Sequence, residues 1–127
     1  MVCVPLVYSG ILGCTACIAG AVGSHGLKSK TEEQRNAFLI GAHYQLMHSI
    51  AALGAVAFGQ VVKTTSPVAA KRFTIAAWLF LAGTTLFSGT IYARTFGAPK
   101  EMGRLAPTGG YVMMGGWACL AAAAFAL

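Results

Sequence analysis

The chain has 127 residues, of which 57% are hydrophobic and only 9% charged, and its net charge is +6. A water-soluble domain carries about 25% charged residues, so this chain cannot cover a soluble surface and its solvent is lipid. Three acidic residues, Glu32, Glu33 and Glu101, and no aspartate exclude paired-carboxylate catalysis and oxygen-rich metal sites.

Met1 to Leu27 is free of charge, and a first span is predicted over about residues 2–24. About 20 apolar residues, each rising 1.5 Å, cross roughly 30 Å of hydrocarbon. Helices are required, because main-chain polar groups in lipid must bond within their own segment. The run lacks both the basic start and the short apolar core of a cleavable leader, so it is expected to stay in the membrane. Ser9, Gly13, Ala16, Gly20 and Ser24 recur at spacings of three and four, which gives one smooth helix face for a neighbour. Cys14-Thr-Ala-Cys17 has the spacing of a redox or zinc motif. Inside an apolar helix, however, thiols are desolvated and inert. With Cys3 and Cys119 they are read as small packing residues.

His25, between Ser24 and Gly26 at the end of this run, admits two readings. It is a proton site or ligand at the membrane surface, or an imidazole bonded to a carbonyl freed where the helix ends. The second is adopted here, because helix ends must satisfy those carbonyls. Thr31-Glu-Glu-Gln34 then has the spacing of a capping box, so the second helix is expected to start near Glu32 and to span about residues 37–62.

That helix carries His43, Tyr44, Gln45 and His48. Tyr44 and Gln45 lie four and three residues before His48, on a shared side. His43 lies about 140° round the helix from His48, so the two do not converge on one metal. Polar groups at this depth either carry a ligand or proton, or fix helix register by hydrogen bonds to Ser88 or Tyr92 of the third helix. Register is the reading preferred. A haem would need a second axial histidine at the depth of His48, and His25 sits at a helix end.

Lys63-Thr-Thr-Ser-Pro67 is a turn, and Lys71 and Arg72 anchor a third span over about residues 72–95 that ends at Arg94. Residues 97–103 form a polar loop, and Pro107 fits the first turn of a fourth span over about residues 107–127. Phe87, Tyr92, Tyr111 and Trp117 are read as packing or interfacial aromatics, and no nucleophile elbow is present.

The fold expected is all-α, an integral membrane four-helix bundle in one domain. Its packing positions are Gly13, Gly20, Gly54, Gly83, Gly89, Gly110 and Gly116. The cations fall in short segments between apolar runs. Lys28, Lys30, Arg35, Lys71, Arg72, Arg94 and Arg104 are therefore assigned to lipid headgroups, anionic ones such as cardiolipin included, and not to nucleic acid. The loops after the first and third spans hold Lys28, Lys30, Arg35, Arg94, Lys100 and Arg104, against Lys63, Lys71 and Arg72 in the loop between them. By the positive-inside rule both termini point away from the cytoplasm or matrix.

Gly20-Ala-Val-Gly-Ser-His-Gly-Leu-Lys28, Tyr44-Gln-Leu-Met-His48, Phe87-Ser-Gly-Thr-Ile-Tyr92 and Ala106-Pro-Thr-Gly-Gly110 with Gly116-Trp117 resemble, in order, the motifs of the transmembrane protein 256 family, domain-of-unknown-function family 423. Ser24 departs from the expected alanine, and the cysteines of the first span are particular to this chain. The resemblance implies a small multi-span helical protein of a bacterium or a eukaryotic organelle, without a settled activity. Its motif residues here are His25, Tyr44, Gln45, His48, Ser88 and Tyr92. No catalytic, cofactor or metal site is expected. The first functional reading is an accessory or assembly subunit that binds other membrane-protein subunits, with the mitochondrial inner membrane favoured over a bacterial one and a respiratory-chain or ATP-synthase complex as a natural host. The others are a small transporter or channel, and a binder of lipid, quinone or haem.

Overall fold

A computed structural model describes residues 1–127 as four helices with no strand. Helix α1 runs Val4–Ala21, with Pro5 in its first turn where no intrahelical donor is needed. It passes into one π turn, Val22–Gly26. Helix α2, Glu32–Val61, opens on the expected capping box. Thr31 Oγ1 accepts from the Gln34 amide at 3.1 Å, and Gln34 Oε1 accepts from the Thr31 amide at 3.1 Å. Helix α3, Pro67–Thr95, starts on its proline, one turn before the position read from the charges. A 3-10 turn, Lys100–Arg104, leads into α4, Leu105–Ala124.

Short connections make successive helices antiparallel. The pair α2 and α3 forms the middle of the bundle, with α1 packed on α2 and α4 on α3. No packed interface joins α1 to α4, so the helices form a folded row and not a closed ring. The central core is built of small residues, Ala52, Ala55, Ala76 and Ala77, against Phe80 and Leu81. Alanine lets backbones approach, which is how helices gain dispersion contacts when lipid offers no hydrophobic reward for association.

Polarity is distributed inside out. Ile11, Ile18, Ile50, Phe58 and Trp78 are exposed, whereas Gln45, His48, Ser49, Thr84 and Ser88 are buried. An aqueous protein with this surface would aggregate, but in hydrocarbon the arrangement costs nothing. Two segments, Val4–Gly26 and Pro67–Thr95, are long and apolar enough to cross a membrane. Four spans were expected, and the other two helices are less apolar: α2 is diluted by His43, Gln45, His48 and Gln60, and α4 by Gly109, Gly110, Gly115 and Gly116.

The closest approach is between α3 and α4, where Gly83 crosses Gly109. A Cβ on Gly109 would stand 2.5 Å from the Phe87 nitrogen and 2.7 Å from the Gly83 carbonyl oxygen. One on Gly83 would stand 2.8 Å from the Gly109 oxygen. Gly116 receives the Phe80 ring, and Gly13 lies against Ser49. Four other predicted packing glycines, Gly20, Gly54, Gly89 and Gly110, have open space where a side chain would stand. Each lies one residue, about 100°, round the helix from a buried residue: Ala19, Ala55, Ser88 and Gly109 respectively. Ser24 is likewise exposed, because the widened π turn brings Gly23 inward against Leu39 and Phe38 in its place.

Candidate functional site

Three helices meet at Gln45. Its Nε2 donates to the Leu12 carbonyl at 2.8 Å and to Thr15 Oγ1 at 2.6 Å, both on α1. Its Oε1 accepts from the Tyr92 hydroxyl of α3 at 2.7 Å. Thr15 in turn donates to the Ile11 carbonyl, so both amide hydrogens and both hydroxyl hydrogens in this set have acceptors. The polar character of Gln45 in the middle of an apolar helix is therefore explained by its partners: a carboxamide is the side chain that can donate twice to one helix and accept from another.

Beside it, Ser88 Oγ donates to the Gly41 carbonyl at 2.7 Å, a second link from α3 to α2. Gly41 is bare, and the Tyr92 ring lies 3.2 Å from where its Cβ would stand. One turn deeper, His48 Nδ1 meets the Tyr44 carbonyl at 2.8 Å and Nε2 meets Trp117 Nε1 at 3.1 Å. A carbonyl only accepts and an indole N–H only donates, so the neutral imidazole with its hydrogen on Nδ1 satisfies both. His48 also touches the rings of Tyr44, Phe80 and Trp117 at centroid distances of 5.7 to 5.8 Å. The sequence reading offered Ser88 or Tyr92 as partners of both Gln45 and His48. The structure pairs Tyr92 with Gln45, and gives His48 to Trp117 of α4. Any axial ligation at His48 would require Trp117 to release Nε2.

Residues missed from sequence complete the set. Thr15 and Trp117 are partners of the two central polar groups, and the hydroxyls of Tyr8 and Thr85 join α1 to α3. Thr15, one residue from the cysteine pair, looked like any small helix residue. Trp117 carried a signal, a glycine neighbour in a quoted motif, but nothing that named its partner. No fully sealed side-chain nitrogen or oxygen lacks a hydrogen-bond partner. A groove of about 430 Å³ runs along α1 and α3 over this cluster, from Leu12 and Thr15 to Phe38, Tyr92 and Phe96.

The other expected site residues scatter. His25 is exposed in the π turn and caps no carbonyl, because the π turn itself supplies main-chain donors to the end of α1. Cys14 and Cys17 are free and face outward. Of the seven headgroup cations, Arg72 is corrected: its Nη1 donates to the Ala122 carbonyl at 2.6 Å and caps the last turn of α4. Lys30 lies over the Phe96 ring, 5.9 Å from its centroid. Lys28, Lys71, Arg94 and Arg104 are exposed, and Arg35 is half-buried.

Residues 19–110, from the end of α1 into α4, match a family described as a protein of unknown function, DUF423. The chain belongs to the DUF423 family. It is similar to a UPF0382 membrane protein of Haemophilus influenzae, with 34% identity over 111 residues that cover 86% of this chain and 84% of the relative. One from Staphylococcus haemolyticus is 30% identical over 84% of this chain and 82% of its own length. One from Schizosaccharomyces pombe is 32% identical over 80% and 84%. No solved structure matches. The DUF423 match contains Gln45, His48, Ser88 and Tyr92, and leaves Thr15 and Trp117 outside it. The chain is thus an integral membrane protein, in agreement with its inside-out polarity.

Proposed function

We propose that this DUF423 protein is a non-catalytic membrane subunit, a helical scaffold that assembles with or stabilises larger membrane complexes. The observation that carries the reading is the way the interior polar groups are used. Gln45, His48, Ser88 and Tyr92 are spent on other helices of the same chain, and none is left poised beside a second reactive group. Outside, bare positions at Gly10, Gly20, Gly54 and Gly110 leave smooth faces on α1, α2 and α4 for neighbouring helices. All four helices cross the bilayer in this reading, with the residues near Lys28–Arg35 and Arg94–Arg104 at one headgroup layer. The membrane in this reading is the mitochondrial inner membrane or a bacterial inner membrane, and the relatives include membrane proteins of bacteria and of a yeast.

Extraction of native membranes in a mild detergent, followed by native gel electrophoresis, tests the reading. Migration with a large complex is expected. A free small species at every detergent ratio, with no protein partner after cross-linking, overturns it. A second reading, a binder of a lipid or quinone, draws on the apolar groove above Gln45 and predicts an extractable amphiphile retained by the pure protein.

A further inference from the structure

A second hollow, of about 410 Å³, opens at the end of the bundle on the other side of the α2–α3 pair. It is built by the capping turn of α2, the last turns of α3, and the 3-10 turn before α4. Its charged lining is one cation and one anion, Arg94 and Glu33. The two form no salt bridge with each other, and Arg94 makes no hydrogen bond to any other group, so its five N–H donors are free. Gly103 allows the guanidinium to lie against the 3-10 turn: a Cβ there would stand 3.2 Å from Arg94 Nη1. The carboxamide oxygen of Gln34 is used by the capping box, which leaves its two N–H donors for the hollow.

Thr90 gives the independent sign of a ligand. Six serine or threonine side chains are buried, and five of them, Ser9, Ser49, Thr84, Ser88 and Thr95, donate to a carbonyl or to sulfur. Thr90, 5% exposed, has no partner within the chain and lines this hollow. Its hydroxyl oxygen is therefore not sealed inside the protein but opens at the surface, where a ligand in the hollow can supply the acceptor it lacks.

We infer that the hollow binds the headgroup of a phospholipid that carries a primary ammonium, phosphoethanolamine. Arg94, Gln34 and Thr90 donate to the phosphate, and Glu33 accepts from the ammonium. A purely anionic headgroup would bring its charge to Glu33 with nothing to offer it. A quaternary ammonium would match the charge but has no N–H to donate. The source is a lipid and not a free phosphate compound, because the hollow lies where α2 and α3 leave the apolar region, and Leu105, next in the chain to Ala106 of the lining, is exposed to meet an acyl chain. The inference rests on the placement of this end of the bundle at a headgroup layer, and not on the subunit reading.

Native mass spectrometry of the pure protein tests it, with phosphatidylethanolamine, phosphatidylcholine and phosphatidylglycerol of matched acyl chains added in turn. One charge-assisted hydrogen bond corresponds to about a tenfold change in affinity. Phosphatidylethanolamine is therefore expected to be retained about tenfold better than either competitor. Arg94→Ala removes retention of phosphatidylethanolamine and phosphatidylglycerol alike, and Glu33→Gln brings phosphatidylethanolamine down to the level of phosphatidylcholine. Thr90→Val, which keeps shape and fold, weakens all three. Glycerophosphoethanolamine, the headgroup without acyl chains, competes only at high concentration if the site is a lipid site. Full competition at low concentration overturns the lipid assignment, and equal retention of the three lipids by the wild type, or an unchanged preference in Glu33→Gln, overturns the site. A chain that fails to fractionate with membranes marks failure of the membrane placement instead.

Discussion

Replacement of Gln45 by leucine keeps the volume and removes the junction of α1, α2 and α3. Three hydrogen bonds are lost: two from Nε2 to Leu12 and Thr15, and one from the Tyr92 hydroxyl to Oε1. Side-chain hydrogen bonds between membrane helices average about 0.6 kcal/mol and reach about 1.7 kcal/mol, so the loss expected is about 2 to 5 kcal/mol. The upper part of that range applies here, because the Tyr92 hydroxyl is left without its acceptor in a half-buried site. At about 1.4 kcal/mol per decade, the folding constant falls at least about 25-fold. Reversible unfolding in mixed micelles of a mild detergent and dodecyl sulfate, followed by circular dichroism, reads this directly. Tyr92→Phe removes one bond of the three and should cost about 0.6 to 1.7 kcal/mol. In a double-mutant cycle the two substitutions couple by about that same amount, because they share the bond. If Gln45→Leu unfolds within about 0.3 kcal/mol of wild type, or the cycle shows no coupling, the cluster does not hold the helices together and the argument from polar junctions fails.

Gly109→Ala should cost about 1 to 3 kcal/mol or prevent folding, since the new methyl meets main-chain atoms that cannot turn aside. Gly110→Ala, next to it in open space, should be neutral or gain up to about 1 kcal/mol from helix propensity, and the same unfolding assay separates the two. Trp117→Phe removes the donor to His48 Nε2, and nitrogen NMR of the labelled imidazole should show that nitrogen change its hydrogen-bonded shift while Nδ1 keeps its hydrogen. Arg72→Ala uncaps the last turn of α4, so amide exchange at residues 122–126 should quicken while exchange around Gly109 stays slow.

Local chemistry was the readable part of this fold. The capping box of Thr31 and Gln34 depends on residues a few positions apart, and α2 starts where those residues put it, whereas α3 opens at Pro67, which the sequence had assigned to the preceding turn. That Gln45 bonds to Ser88 or Tyr92 of the third helix also followed from sequence, because an amide so deep in an apolar helix must find a partner on a neighbour, and the structure selects Tyr92. The partner of His48 did not follow. Trp117 is 69 positions away, and only the packing of α4 across α3 brings it within reach. The link from Ser88 to the Gly41 carbonyl was hidden for another reason: a main-chain acceptor leaves no mark in the sequence. Among glycines, composition showed that close crossings exist, but neighbours such as Gly109 and Gly110 differ by only about 100° of rotation. That is finer than a period of three and four residues resolves, and only one of the pair touches another helix.

The acceptance of Gln45 by the Leu12 carbonyl makes the joint genetically lopsided. Every amino acid brings a carbonyl, so exchange of Leu12 for another helix-forming residue of similar bulk leaves the acceptor in place, whereas almost any exchange of Gln45 abolishes the double donor. Variation in α1 can therefore drift at little risk to the contact, and second-site suppressors of a Gln45 lesion should arise elsewhere than at position 12.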